Sequence, residues 1–506
     1  MAAAVMVAGA LYGVGVVTLV AWAPRPVDDD AVPWLLATLV AGVGAVAATP
    51  PRWRLHVMLI ASVAAWALVS PAVIAFGVPW ALGFRAIVWS RWRPAVTVLY
   101  PVATLIAVLV AADAAHFPRL VAARPWLWVI AHAFAISWFL RALVVWHEAR
   151  TGALRPTGVE VLTYFFLAPF AVVPPYMLAL PRLRTVVDGV RQFDPAVVRT
   201  AVPWLGYGLA VQAALAAAGA LAVDPQAHLI AALRAGAWAR ALPLAIVVYP
   251  VRAVFEACGA GALVLGLVRA CGVPMLPAFD RPLLARSVAE WWRRYNTHFR
   301  GLLVDLFWTP TALRLRRHPV LAGYAGCAAV FLLGSVPLHW PKQAALHASP
   351  WSFPWSTLAE SAIMTIVVGT ALALERRRRG RAAAPGRARA WLERGRTWAV
   401  VCVAILAVGY QIDYRVRIAP YERLAARARA IASAADAAAL VAPLEAAVDE
   451  RPSDPLRRVT YAQVLIVAGE PVRGLRQLAI AAAFATRSEL ADARLALRPI
   501  HPPRSP

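Results

Sequence analysis

The sequence predicts an all-α polytopic membrane protein, with about eleven membrane segments around a buried site and a small helical extramembrane tail. Three observations carry this reading. Of 506 residues, 61% are hydrophobic and only 15% are charged; the mean hydropathy is +0.63; and long apolar runs recur along most of the chain. A soluble domain holds roughly 45–50% apolar and about 25% charged residues, because enough polar side chains must remain to cover its surface. A soluble enzyme is thereby excluded, and so is a disordered chain. The 40 prolines are scattered between apolar runs and do not form repeats.

A helix crossing the hydrocarbon core needs roughly 20 mostly apolar residues. Runs of that kind lie at 2–22, 32–49, 57–82, 95–112, 125–146, 158–180, 202–223, 241–268, 319–339, 357–374 and 398–412. No basic residue precedes 2–22, and the run is long for the apolar part of a signal peptide, so it is expected to be a retained first span. The 57–82 run contains Pro71 and Pro79 and has basic residues on both sides, which fits either one span or a hairpin of two short segments. Between about 270 and 318 the chain is rich in Arg, Trp and Pro and has no clean spanning run. Irregular polar backbone persists in a membrane protein only where it is buried in protein or lines a wet cavity, so the site is expected there.

The basic loop 376–397 is placed in the cytoplasm by the positive-inside rule. If 398–412 crosses, the tail from 413 lies outside. The expected division is therefore a membrane core over 1–412 and a soluble helical tail over 413–506. In the tail, 421–434 and 437–449 read as amphipathic helices. Asp454 is placed to cap the next helix, with Pro455 at its first position. That helix carries Tyr461, Ala462 and Leu465; after Gly469 another carries Leu475, Leu478, Ala479 and Ala482. The pattern resembles one tetratricopeptide unit, and a plain helical hairpin fits equally. Either form is an interaction module, expected to meet a protein partner outside the membrane.

The net charge is 51 − 26 = +25. In a soluble protein this would suggest nucleic acid; beside membrane spans, arginines fix topology and meet anionic headgroups, so membrane lipids and no nucleic acid are the expected partners. Arginine vastly outnumbers lysine and alanine is abundant, a composition associated with GC-rich bacterial genomes. Cys258, Cys271, Cys327 and Cys402 show neither metal-type spacing nor a disulfide framework. His56, His116, His132, His147, His228, His318 and His347 show no ligand spacing, and the metalloprotease, phosphate-loop and serine-hydrolase motifs are absent from the sequence.

Two polar features remain at or near membrane depth, where ionisable groups are costly. One is Glu290-Trp291-Trp292-Arg293-Arg294-Tyr295-Asn296; the other is His339, which closes the apolar run Val330–Leu338. By themselves these have plain readings: packing or interfacial aromatics, topology-setting arginines, and a capping histidine.

Taken together they resemble the membrane-bound O-acyltransferase family, in its bacterial D-alanyl-transfer and alginate-acetylation form. Phe255-Glu256-Ala257-Cys258-Gly259 stands where that family has F-D-F-S-G, with Gly266 at a later glycine. Ala278 to Ala285 follows, then Ser287 and the Glu290–Asn296 block; Asp305 and Pro310 hold the places of a later Asp and Pro, and Tyr164 to Pro175 resembles an upstream segment. The chain departs from the pattern at Ala262, Tyr295, Val304 and the Val336-Pro337-Leu338 approach to His339. The close resemblance covers roughly 249–340. It implies acyl transfer from a thioester to a hydroxyl, with His339 as general base and Asn296 orienting or polarising a reacting carbonyl. Substrate binding would fall to Arg293, Arg294, Trp292, Glu290 and Asp305, the two arginines on phosphates of coenzyme A or an acyl-carrier arm. His298, two positions beyond Asn296, is a weaker candidate. No tightly bound cofactor and no metal are expected. The family likeness further implies a short acyl group, plausibly acetyl, an acceptor that is an envelope or exported glycan or lipid, and residence in a bacterial cytoplasmic membrane. A transporter or flippase, and an inactive scaffold working through its tail, are the alternatives.

Overall fold

The computed structural model describes residues 32–484 except 90–93, 115, 118–119, 121–123, 125, 152–154, 173–178, 221–227, 230, 233–234, 236, 347–354, 379–386, 402–418 and 453. The expected first span at 2–22 lies outside the described residues, as do Arg379, Cys402 and nearly all of 398–412. The described residues are helical with no strand among them. Five helices are long and apolar enough to cross a bilayer: Pro71–Val88, Trp126–Arg150, Pro195–Ala218, Pro319–Ala345 and Thr357–Glu375. Pro33–Ala48, Arg54–Val69 and Thr97–Ala111 are apolar but shorter. The chain is a helical membrane protein.

The 57–82 run is two helices, Arg54–Val69 and Pro71–Val88, with Ser70 between them at φ −168° and ψ 120°. Pro71 disfavours helical dihedrals at the residue before it and starts the next helix with its fixed φ. The apolar run at 158–180 does not form one continuous helix. Gly158–Phe166 is capped by Thr157 and Glu160 in reciprocal bonds and ends at Leu167, and Pro169 opens a separate turn, Pro169–Val172. At 1.5 Å per residue the first piece reaches about 14 Å, roughly half the hydrocarbon thickness.

What makes that early stop stable is its surroundings. The last carbonyls of a helix need donors, and here Trp138 Nε1 and Arg141 Nη1 both donate to the Phe165 carbonyl at 3.0 Å, while Trp66 Nε1 donates to that of Phe166 at 3.0 Å. Trp138 is itself fully buried, in contact with Trp66, Trp80 and Phe166. The Arg141 guanidinium sits 4.2 Å from the ring centroids of Tyr164 and Phe170. Ring faces supply negative potential to a charge removed from water.

The chain divides into two compact units. One comprises Met1–Tyr100, Ser137–Leu338 and Ser356–Tyr410; the other comprises Pro101–Ile136, His339–Trp355 and Gln411–Pro506. The aromatic cluster belongs to the first.

In the second unit, the tail helices Ala419–Arg429, Ala434–Glu450, Pro455–Val467 and Pro471–Phe484 follow the expected order. Asp454 caps as its sequence position suggests, accepting from the Leu456 and Arg457 amides at 3.1 Å. Leu440, Leu444, Tyr461 and Leu465 form the tail core. The last helix turns a different face inward from the one its larger residues suggest: Leu475 and Ala479 are exposed, and Gly474, Ile480 and Ala481 are buried. Arg458, only 2% exposed, donates to Pro452, Gln477 and the Ala114 carbonyl. The tail thereby packs on the turn that follows the shorter apolar helix Pro94–Ala111.

Candidate functional site

The Arg-, Trp- and Pro-rich stretch folds into short helices joined by tight turns. Residues 276–280 run alongside 294–298: the Asp280 amide donates to the Arg294 carbonyl at 2.9 Å, and the Thr297 amide to that of Ala278 at 2.8 Å. Thr297 Oγ1 adds a bond to the Pro277 carbonyl at 2.7 Å. His298 Nε2 lies 2.8 Å from the Leu276 carbonyl. A carbonyl only accepts, so the proton is on Nε2.

Within this frame Ser287 caps the helix Val288–Arg294, its Oγ accepting from the Glu290 amide at 3.1 Å. Glu290 reaches back to accept from the Arg286 amide at 2.7 Å, and its other oxygen pairs with Arg294 at 2.6 Å. Trp291 is buried and stacks on Tyr295 with centroids 4.7 Å apart. Trp292 meets the edge of Phe331 at 4.6 Å. Arg293 is held by Glu375.

Asn296 has φ 47° and ψ 60°, a left-handed conformation that asparagine adopts more readily than most residues. Its Oδ1 caps Thr297–Leu303 by accepting from the Phe299 amide at 3.4 Å. Its amide NH₂ donates to no described residue, so two donors remain for a substrate oxygen. Asp305 lies in a π-turn, Val304–Trp308, with its Oδ2 3.7 Å from His147 Nε2. The structure therefore gathers Glu290, Trp292, Arg293, Arg294 and Asn296 on one short stretch, with Asp305 a few turns on against a histidine that spacing did not single out.

His339 belongs to the second compact unit, half-buried in the helix Val336–Leu346 that follows a π-turn at Ala329–Ser335. Such turns are frequent at functional positions. The same helix carries Lys342, the sole lysine of the sequence. The facing helix Trp126–Ala133 is pinned to it by Trp128 Nε1 donating to the Ala345 carbonyl at 2.9 Å. One turn after Trp128, and tilted against its ring at 5.4 Å, is His132. It is 6% exposed, and neither ring nitrogen has a hydrogen-bond partner. Lys342 lies close enough to act on it electrostatically. A histidine spaced like no ligand is unremarkable in a sequence; only the fold shows it buried with neither ring nitrogen hydrogen-bonded.

Burial keeps the His298 imidazole below its ordinary value, and the Leu276 carbonyl partly offsets this. Cys271 and Cys327 are buried free thiols. Among the described residues no group of three or more His, Cys, Asp or Glu stands ready for a metal ion. Compared with protein-family models and with curated proteins, the chain matches none.

Proposed function

We propose that this protein is a membrane-bound O-acyltransferase of a bacterial cytoplasmic membrane, with about eleven membrane segments and an extracytoplasmic tail. One observation carries the reading: the Glu290–Asn296 block presents an asparagine with unused amide donors, and His339 follows at the close of an apolar helical run. In the reaction His339 takes the proton of an acceptor hydroxyl as its oxygen attacks the thioester carbonyl; the C–O bond forms, the C–S bond breaks and the thiolate leaves. Asn296 donates to the carbonyl oxygen as charge develops there, and a site closed to water limits thioester hydrolysis. The donor is an acyl-CoA or acyl-carrier thioester and the acceptor a hydroxyl of an envelope or exported glycan or lipid. Arg293 and Arg294 each already face a carboxylate, so an anionic donor shares or displaces Glu375 and Glu290. The tail recruits a protein partner outside the membrane. The two existing ion pairs favour, as a second reading, an inactive scaffold in which these arginines serve packing.

The test is the ester-linked acyl content of envelope glycans, released by mild alkali from wild-type, deletion and His339→Ala cells at matched membrane levels of the protein. Loss in both mutants, by about 10²–10⁴-fold in transfer rate for the variant, supports the reading and the released acid names the acyl group. Loss in the deletion alone removes His339 as base and brings the scaffold forward. Normal product after deletion of 413–506 sinks the tail's role.

A further inference from the structure

Beside the helix Val288–Arg294 the chain forms an open cleft of about 480 Å³, lined by Asp280, Arg281, Leu284, Arg286, Glu290, Arg294 and Arg394. Four guanidiniums face two carboxylates, and the pairing is uneven. Arg294 is matched by Glu290. The guanidiniums of Arg281 and Arg286 are exposed and make no side-chain bond among the described residues. Arg394 has a buried Nε with no acceptor, and its guanidinium lies 5.0 Å from the ring centroid of Trp391. Three unpaired cations around one concavity attract an anion with several acceptor oxygens, and guanidinium geometry suits phosphate.

The apolar surroundings narrow the ligand further. Leu284 is exposed in the cleft wall, and Trp391 is 67% exposed on the helix that brings Arg394. That helix, Arg387–Val400, follows the Arg376–Arg379 cluster, which the positive-inside rule places against the anionic leaflet. An exposed tryptophan next to arginine is the composition of a membrane interface. A wholly soluble anion has no use for it.

We propose that this cleft binds the phosphate of an anionic phospholipid headgroup, with Arg281, Arg286 and Arg394 as donors and Leu284 and Trp391 against the glycerol and upper acyl region. The cleft shares Glu290 and Arg294 with the acyl-transfer reading, but the lipid assignment rests on Arg281, Arg286 and Arg394, requires neither His339 nor Asn296, and stands if the chain is a scaffold.

Full-length protein in a neutral detergent is titrated with short-chain phosphatidylglycerol, with phosphatidylcholine of the same chain length and with inorganic phosphate, and bound lipid is counted by native mass spectrometry. The expected result is saturable phosphatidylglycerol binding, at least tenfold tighter than phosphatidylcholine, weakened tenfold or more in Arg286→Gln/Arg394→Gln and largely restored in Arg286→Lys/Arg394→Lys. Equal binding of the two lipids, or an unchanged double variant, overturns the proposal. Inorganic phosphate that displaces phosphatidylglycerol at comparable concentration overturns the lipid assignment in favour of a soluble anion. Should the glutamine pair fail to fold, the single variants Arg281→Gln and Arg286→Gln, at exposed positions without side-chain bonds, carry the same test and are expected to weaken binding threefold or more.

Discussion

Arg293 Nη1 and Nη2 face Glu375 Oε2 and Oε1 at 3.1 and 3.2 Å, a two-pronged contact between residues 82 positions apart. It ties the short helix Val288–Arg294 to the end of the membrane helix Thr357–Glu375. Both side chains keep some exposure, so the pair is screened. A double-mutant cycle of Arg293→Gln and Glu375→Gln, read by thermal unfolding in detergent, is expected to give a coupling of about 0.2–1 kcal/mol. A coupling beyond about 2 kcal/mol contradicts the exposed-pair account.

Gly77 marks a close approach inside the aromatic cluster: a Cβ there would lie 2.1 Å from the Trp138 ring and 2.8 Å from Phe166. Both rings are buried, and Trp138 is also fixed by its bond to Phe165. Gly77→Ala is expected to destabilise the protein by about 1–3 kcal/mol through overpacking. Unchanged thermal stability of the purified variant would show that the cluster can give way.

His298 gives the 294–298 turn a pH dependence whose direction follows from its burial. Its folded-state value is depressed, so the folded protein holds fewer protons there than the unfolded chain, and the stabilising term is present above the ordinary value of 6.5. That stability is lost as pH falls below 6.5 and through the lowered folded value. His298→Gln is expected to flatten the acid side of the stability profile between pH 7 and 5, as measured by thermal unfolding. An identical slope in the variant assigns the acid sensitivity elsewhere.

Asp454 satisfies two amides at the start of Pro455–Val467. Asp454→Ala is expected to cost about 1 kcal/mol of tail stability, while Asp454→Asn retains most of it. Limited proteolysis of the full-length protein in detergent reads this as faster cleavage within 434–467 for alanine only; equal rates for all three proteins would mean that the tail core, not the cap, holds the helix.

The sequence by itself determined that this is a helical membrane protein, because the surplus of apolar side chains leaves no soluble alternative. It also determined the Asp454 cap and the order of the tail helices, which rest on contacts within a few residues. The block Glu290–Asn296 was legible as a group for the same reason: neighbours in sequence stay neighbours along one short helix and the turn that ends it. Only the tertiary structure decided the rest. It stopped the 158–180 run after nine helical residues by offering the freed carbonyls of Phe165 and Phe166 donors from Trp138, Arg141 and Trp66. It buried His132 without a partner beside Lys342 and set Arg394 across a cleft from Arg281 and Arg286. Hydropathy averages over a window and motifs read along the chain, whereas hydrogen-bond satisfaction and charge pairing depend on which distant groups the packing brings within about 3–4 Å.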